Sequence, residues 1–176
     1  MRATLQALPA ERADAHDVPD LHELLSRTSG ELYRLAVRLT GNLSAADDVI
    51  QTAYLQAFEA LRAGRFRGEC RLETWLYRIV VRAASTERRT EDRRGALLAL
   101  KAPPAPGPTS SELTVELREL EEALGTLPQD QRVALVLKEL QGLTGREVAQ
   151  VMEKTEGAVE QLLYRARSAL KERFSR

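Results

Sequence analysis

Apolar positions recur at helical spacing along most of this chain. Leu32, Leu35, Ala36 and Leu39 make one stripe, closed by Gly41-Asn42. A longer stripe follows through Ala46, Val49, Ile50, Ala53, Tyr54, Ala57 and Leu61, with Ser44 expected as its cap and Asp47 at the capping-box position. The opposite face of that helix carries Asp48, Gln51, Thr52, Leu55, Gln56 and Glu59. Leu55 is out of place there, as either an ordinary surface leucine or part of a docking face. A glycine-containing basic stretch, residues 63–71, reads as a loop. Thr74 is expected to cap a third helix through Trp75, Leu76, Ile79, Val80 and Ala83.

The C-terminal pattern is more specific. Thr144 with Glu147 three residues on is a capping box, followed by Val148, Ala149, Val151 and Met152. Thr155 offers a second cap before Val159, Leu162, Leu163, Ala166 and Leu170. A helix of barely two turns must pack across its neighbour. That arrangement is a helix-turn-helix, whose second helix can enter the major groove of DNA. An ordinary helical hairpin satisfies the same pattern, so the segment alone leaves both open.

Between the blocks, residues 101–111 hold four prolines, which remove backbone donors and favour an extended spacer. The expected organisation is an N-terminal extension (1–19), a helical domain (20–92), a linker (93–112) and a second helical domain (113–176). The fold class is all-α, two small helical domains joined by a proline-rich linker.

Composition agrees. Charged residues make up 30% of the chain and aromatics 5%, and no run of alternating strand positions occurs. The single cysteine, Cys70, rules out an internal disulfide and points to a reducing compartment. No stretch is apolar enough for a signal peptide or a membrane span, so no membrane insertion and a cytoplasmic location are expected. Net charge is zero, but residues 62–94 hold ten basic and five acidic side chains. Local fields, not the total, attract phosphates.

In that basic region, arginines three or four apart share a helix face, so Arg78 and Arg82 can reach one phosphate strand. A solvated surface balanced by Glu73, Glu87 and Glu91 is the plainer account of the charges alone. Phe66, Trp75 and Tyr77 interleaved with cations favour single-stranded nucleic acid, where bases stack on rings. Catalysis lacks parts. Only His16 and His22 are present and both lie outside the motif-bearing helices; no phosphate-cradling glycine motif occurs. No catalytic residue, metal or cofactor is expected, and the chain reads as a non-enzyme. Cys70 is read as a small loop residue, with Arg71 able to lower its pKa if it were a redox switch.

With both blocks in view, the chain resembles the extracytoplasmic-function (ECF) sigma factors of the sigma-70 family. Residues 46–54, Phe66 and residues 74–79 resemble sigma region 2. Residues 127–132, 142–144, 147–149, 157–159 and 164–167 resemble sigma region 4. The resemblance implies a sigma factor that binds core RNA polymerase and directs promoter recognition, DNA melting and transcription initiation. Asp47, Asp48, Gln51, Leu55 and Phe58 would then dock on polymerase. Arg65, Phe66, Arg67, Arg71, Thr74, Trp75, Arg78, Arg82, Arg88 and Arg89 would read the minus-ten element of promoter DNA, with a flipped base in a loop pocket. Arg146, Thr155, Glu156, Gly157, Ala158, Glu160, Gln161, Tyr164, Arg165, Arg167 and Lys171 would engage the minus-thirty-five element. An anti-sigma partner is also implied.

The chain departs from the family pattern at several positions. Arg82 stands where asparagine is common, Thr86 where aspartate is, and Glu160 where a cation is expected; Glu153-Lys154 replaces the turn glycine. A non-glycine residue at positive φ is therefore expected in that turn. A carboxylate at Glu160 repels phosphate but can accept from cytosine. It keeps open an alternative of another class, a sigma-like adaptor that binds polymerase or an anti-sigma partner with weak DNA contact.

Overall fold

The computed structural model describes residues 21–98 and 115–175. The N-terminal extension with His16, and the proline-containing segment of the linker, lie outside the described residues. Among those described, every regular element is a helix.

Helix α1 (Leu21–Thr40) and helix α2 (Leu43–Arg62) meet at Gly41, whose φ of +69° turns the chain. Asn42, not Ser44, caps α2: its side chain accepts from the Ala45 amide at 3.2 Å. An asparagine in extended backbone right after the turn captures the first free amide, so the helix begins before the serine is reached. Helix α3 (Leu72–Leu98) likewise begins two residues ahead of Thr74, whose side chain is only 5% exposed. It also runs past residue 92, where the first domain was expected to end. The three helices bury Leu32, Leu35 and Leu39 against Val49, Leu76 and Val80. Ala46, Ala53 and Ala57 line the α2 seam, where small side chains allow close approach.

The second lobe holds α4 (Val115–Thr126), α5 (Gln129–Leu135) running into a π-helical turn (Val136–Leu140), α6 (Gly145–Met152) and α7 (Glu156–Phe174). From Arg132 to Leu137 every residue is buried. A segment buried on every side belongs at the centre, and α5 packs on α7, α6 and α1.

The lobes are not apart. Helix α3 packs on α6, and α1 touches α5 and the π-helical turn, so the buried apolar residues form one contiguous cluster. Arg132, 3% exposed, sits in this junction. Its guanidinium donates to Leu39 O at the end of α1, and to Gly125 O and Leu127 O at the end of α4. A cation suits the negative ends of two helices. Burial lowers its pKa to about 10, with Arg88 adding to the effect.

Candidate functional site

The loop between α2 and α3 folds its aromatic residue inward. Phe66 lies against Trp75 with ring centroids 5.2 Å apart and planes at 56°, a tilted contact that fixes both rings. Around them opens a groove of about 600 Å³ lined by Arg65, Phe66, Arg67, Cys70, Trp75 and Arg78. Two half-buried rings and three guanidinium groups thus converge on a space that can hold a planar base and its phosphates. The Cys70 thiol is pushed up by burial, an effect that Arg78 opposes and Glu69 reinforces. The lowering expected from Arg71 is absent, because that guanidinium pairs with Glu73 at 3.7 Å. A protonated thiol is a poor nucleophile.

Of the other basic-helix residues, Arg71, Arg82 and Arg89 are exposed and Arg88 is half-buried. Thr74 is the exception among the candidates for strand contact. It faces the interior, since α3 begins earlier than its sequence suggested and turns the threonine toward the core.

The outer face of α2 is different in kind. Asp47, Asp48 and Gln51 are exposed, and so are two large apolar side chains, Leu55 (60%) and Phe58 (49%). The Arg62 guanidinium lies 5.9 Å over the Phe58 ring. Leu55 and Phe58, three residues apart, share one face.

In the second lobe the capping box at Thr144 is complete: the Glu147 amide donates to the threonine hydroxyl, and the Thr144 amide donates to the Glu147 carboxylate. Thr155 caps α7 by accepting from the Ala158 amide at 3.2 Å. Between α6 and α7, Glu153 adopts φ +54°, the left-handed residue expected where the glycine is missing. Val159, Leu163 and Ala166 face inward, leaving Glu156, Gly157, Ala158, Glu160, Gln161, Tyr164 and Arg165 outward. Arg146 and Lys171 are exposed, while Arg167 pairs with Glu139.

Sequence reasoning missed two residues that organise this surface. The Glu153 carboxylate receives Arg82 Nη2 at 2.6 Å and lies 3.7 Å from Arg78 Nη1. Arg132, buried at the junction, is the other. Nothing local in the sequence signals the contacts of Glu153 with Arg82 or of Arg132 with Leu39, which join residues far apart in the chain.

Comparison with known proteins tests this assembly. The "Sigma-70 region 2" family model matches residues 24–94, and the "Sigma-70, region 4" model matches residues 117–170. The RNA polymerase sigma-H factor of Pseudomonas aeruginosa is 30% identical, covering 91% of this chain and 89% of that protein. The chain belongs to the sigma-70 family. The ECF RNA polymerase sigma-E factor of Escherichia coli K12 is 33% identical over 70% of each chain, and with the two region matches it makes this protein an ECF sigma factor. The region 2 match takes in α2 and most of α1 and α3, and the region 4 match runs from α4 through most of α7. The solved sigma factor RpoE, in complex with the anti-sigma factor NepR from Bartonella quintana, has the same fold: TM-score 0.71, 22% identity, 88% of this chain and 96% of that one. The family directs RNA polymerase to promoters and does no catalysis of its own. No described helix is long and apolar enough to cross a membrane.

Proposed function

We propose that this sigma factor divides its work among three surfaces. The outer face of α2, with Asp47, Asp48, Gln51, Leu55 and Phe58, docks on core polymerase. The groove at the α2–α3 loop receives a base flipped from the non-template strand, while Arg65, Arg67, Arg78 and Arg82 hold its backbone. Unstacking costs a few kcal/mol, which stacking on Phe66 and Trp75 and contacts to the base edge can offset. The outward face of α7 enters the major groove upstream, with Arg165 and Lys171 on phosphates and Glu160, Gln161 and Tyr164 toward base edges. The protein works in the cytoplasm, is itself no enzyme, and is held in check by an anti-sigma partner. The solved relative bound to such a partner supports that last element.

The observation carrying this reading is the loop groove, where stacking rings and guanidinium groups meet around one cavity. Purified protein mixed with core polymerase on candidate promoters tests it. A run-off transcript that depends on both components is expected. Binding to core polymerase without an open complex would instead establish the adaptor reading.

A further inference from the structure

Most residues proposed to touch the promoter face outward, but a few from each lobe face each other. A cleft of about 450 Å³ between the lobes is lined by Arg78 of α3 and by Arg146, Gln150, Glu153, Thr155 and Glu156 of the helix-turn-helix. Arg78 also lines the groove at the α2–α3 loop, so cleft and groove join through one guanidinium. Glu153 fills the middle, its carboxylate on Arg82 at 2.6 Å and near Arg78 at 3.7 Å. Both guanidinium groups converge on one carboxylate oxygen, Oε1, an anionic acceptor of the kind a phosphate would offer them. Around it, Gln129 Nε2 donates to Ser85 Oγ at 2.8 Å, and Arg71 lies 4.0 Å from Glu147.

We propose that Glu153 is a built-in stand-in for a nucleic-acid phosphate, which seats the helix-turn-helix turn on the arginine face of α3 and has to leave before a DNA strand can bind there. The inference rests on the reading of Arg78 and Arg82 as strand-binding residues. It accounts for an acid at this point of the turn. Glycine would relieve the left-handed backbone, and a residue with a Cβ is held there by what its side chain grips. Because the start of α7 borders the same cleft, closure covers part of both DNA surfaces at once.

The latch consists of exposed or half-exposed ion pairs, so it is weak and reversible. The full chain binding a fluorescein-labelled single-stranded oligonucleotide of mixed sequence tests it by fluorescence anisotropy. Glu153→Asn keeps a residue that tolerates positive φ and removes the charge; Glu153→Gly removes the charge and the backbone strain together. Both are expected to bind the oligonucleotide about two- to fivefold tighter than the parent. If Arg78→Ala and Arg82→Ala weaken binding but neither Glu153 variant strengthens it, the latch is wrong and the strand-binding reading stands. If the arginine variants bind like the parent, the strand-binding reading fails and takes the latch with it.

Discussion

The outer face of α2 and the cationic face of α3 belong to the same three-helix lobe, yet one is left without a partner and the other is ion-paired to the second lobe. On α2, Leu55 and Phe58 stand in solvent with only Arg62 beside the ring. On α3, Arg78 and Arg82 are engaged by Glu153 from the other lobe. Apolar anchors have no charge for the protein's own acids to satisfy, so they stay free for a partner that can desolvate them. Guanidinium groups can be occupied by a carboxylate at little net cost and released again. The contrast separates two events. On the proposed roles, docking of α2 would leave the contacts between the lobes untouched, while engagement of DNA by α3 would break them.

The largest expected effect comes from what holds the lobes together beneath that latch. Arg132→Met removes donors from Leu39 O, Gly125 O and Leu127 O and leaves these carbonyls at a buried junction. Each buried group left unsatisfied costs about 1–3 kcal/mol. Chemical denaturation should therefore show a loss of about 3 kcal/mol, against about 0.5 kcal/mol or less for exposed Arg89→Ala. Equal midpoints for the two variants would show that Arg132 does not anchor the closed arrangement, and the covered face would then depend on the surface ion pairs alone.

How much of this was legible beforehand follows from the range of each interaction. The α1, α2 and α3 stripes, the capping box at Thr144 and the cap at Thr155 are written within a few residues of one another, and periodicity and capping rules read them directly. The left-handed turn residue was legible as well, because a missing glycine between two short helices leaves few alternatives. Local rules failed where neighbours compete. Asn42 captured the start of α2 ahead of Ser44, and α3 began before Thr74, turning that threonine inward. The partners of Arg78, Arg82 and Arg132 could not be read at all. Arg82 meets Glu153 across 71 positions and Arg132 meets Leu39 across 93, and only tertiary packing brings them together. Cys70, read as a small loop residue, agrees with the structure: Arg71, which could have lowered its pKa, pairs with Glu73, and burial raises the thiol.

The open face gives the next effect. On the docking assignment for α2, Leu55→Ala with Phe58→Ala removes the two apolar anchors, and truncated anchors of this kind cost at least about 2 kcal/mol, or roughly 30-fold in affinity. Titration of the double variant against labelled core polymerase should show that loss. Its denaturation midpoint and its oligonucleotide binding should match the parent, because neither side chain contributes to the core or the cleft. Weakened binding to the oligonucleotide would erase the contrast between the two faces.

The smallest effect is one of pH, and it isolates the Glu153 latch. The hydrogen bond from Arg82 holds the Glu153 carboxyl below its ordinary value of 4.5; partial burial opposes this, and the charges of Arg82 and Arg78 add to it. A lowered folded-state value means that the ionised form is the one the closed arrangement favours. Its contribution is fully present above the ordinary carboxylate range and is lost as pH falls through the lowered value. Arg78, Arg82, Arg146 and Lys154 are the cations around the cleft, and Glu156 is its second carboxylate. The pair is half exposed, so screening keeps its worth below about 1 kcal/mol. The denaturation midpoints of the parent and of Glu153→Asn should differ by a small constant amount from neutral pH down to about 5 and converge below about 4. A difference that persists unchanged into acid would mean that the substitution acts through the left-handed backbone and not through the carboxylate. The covering of α3 would then owe nothing to charge.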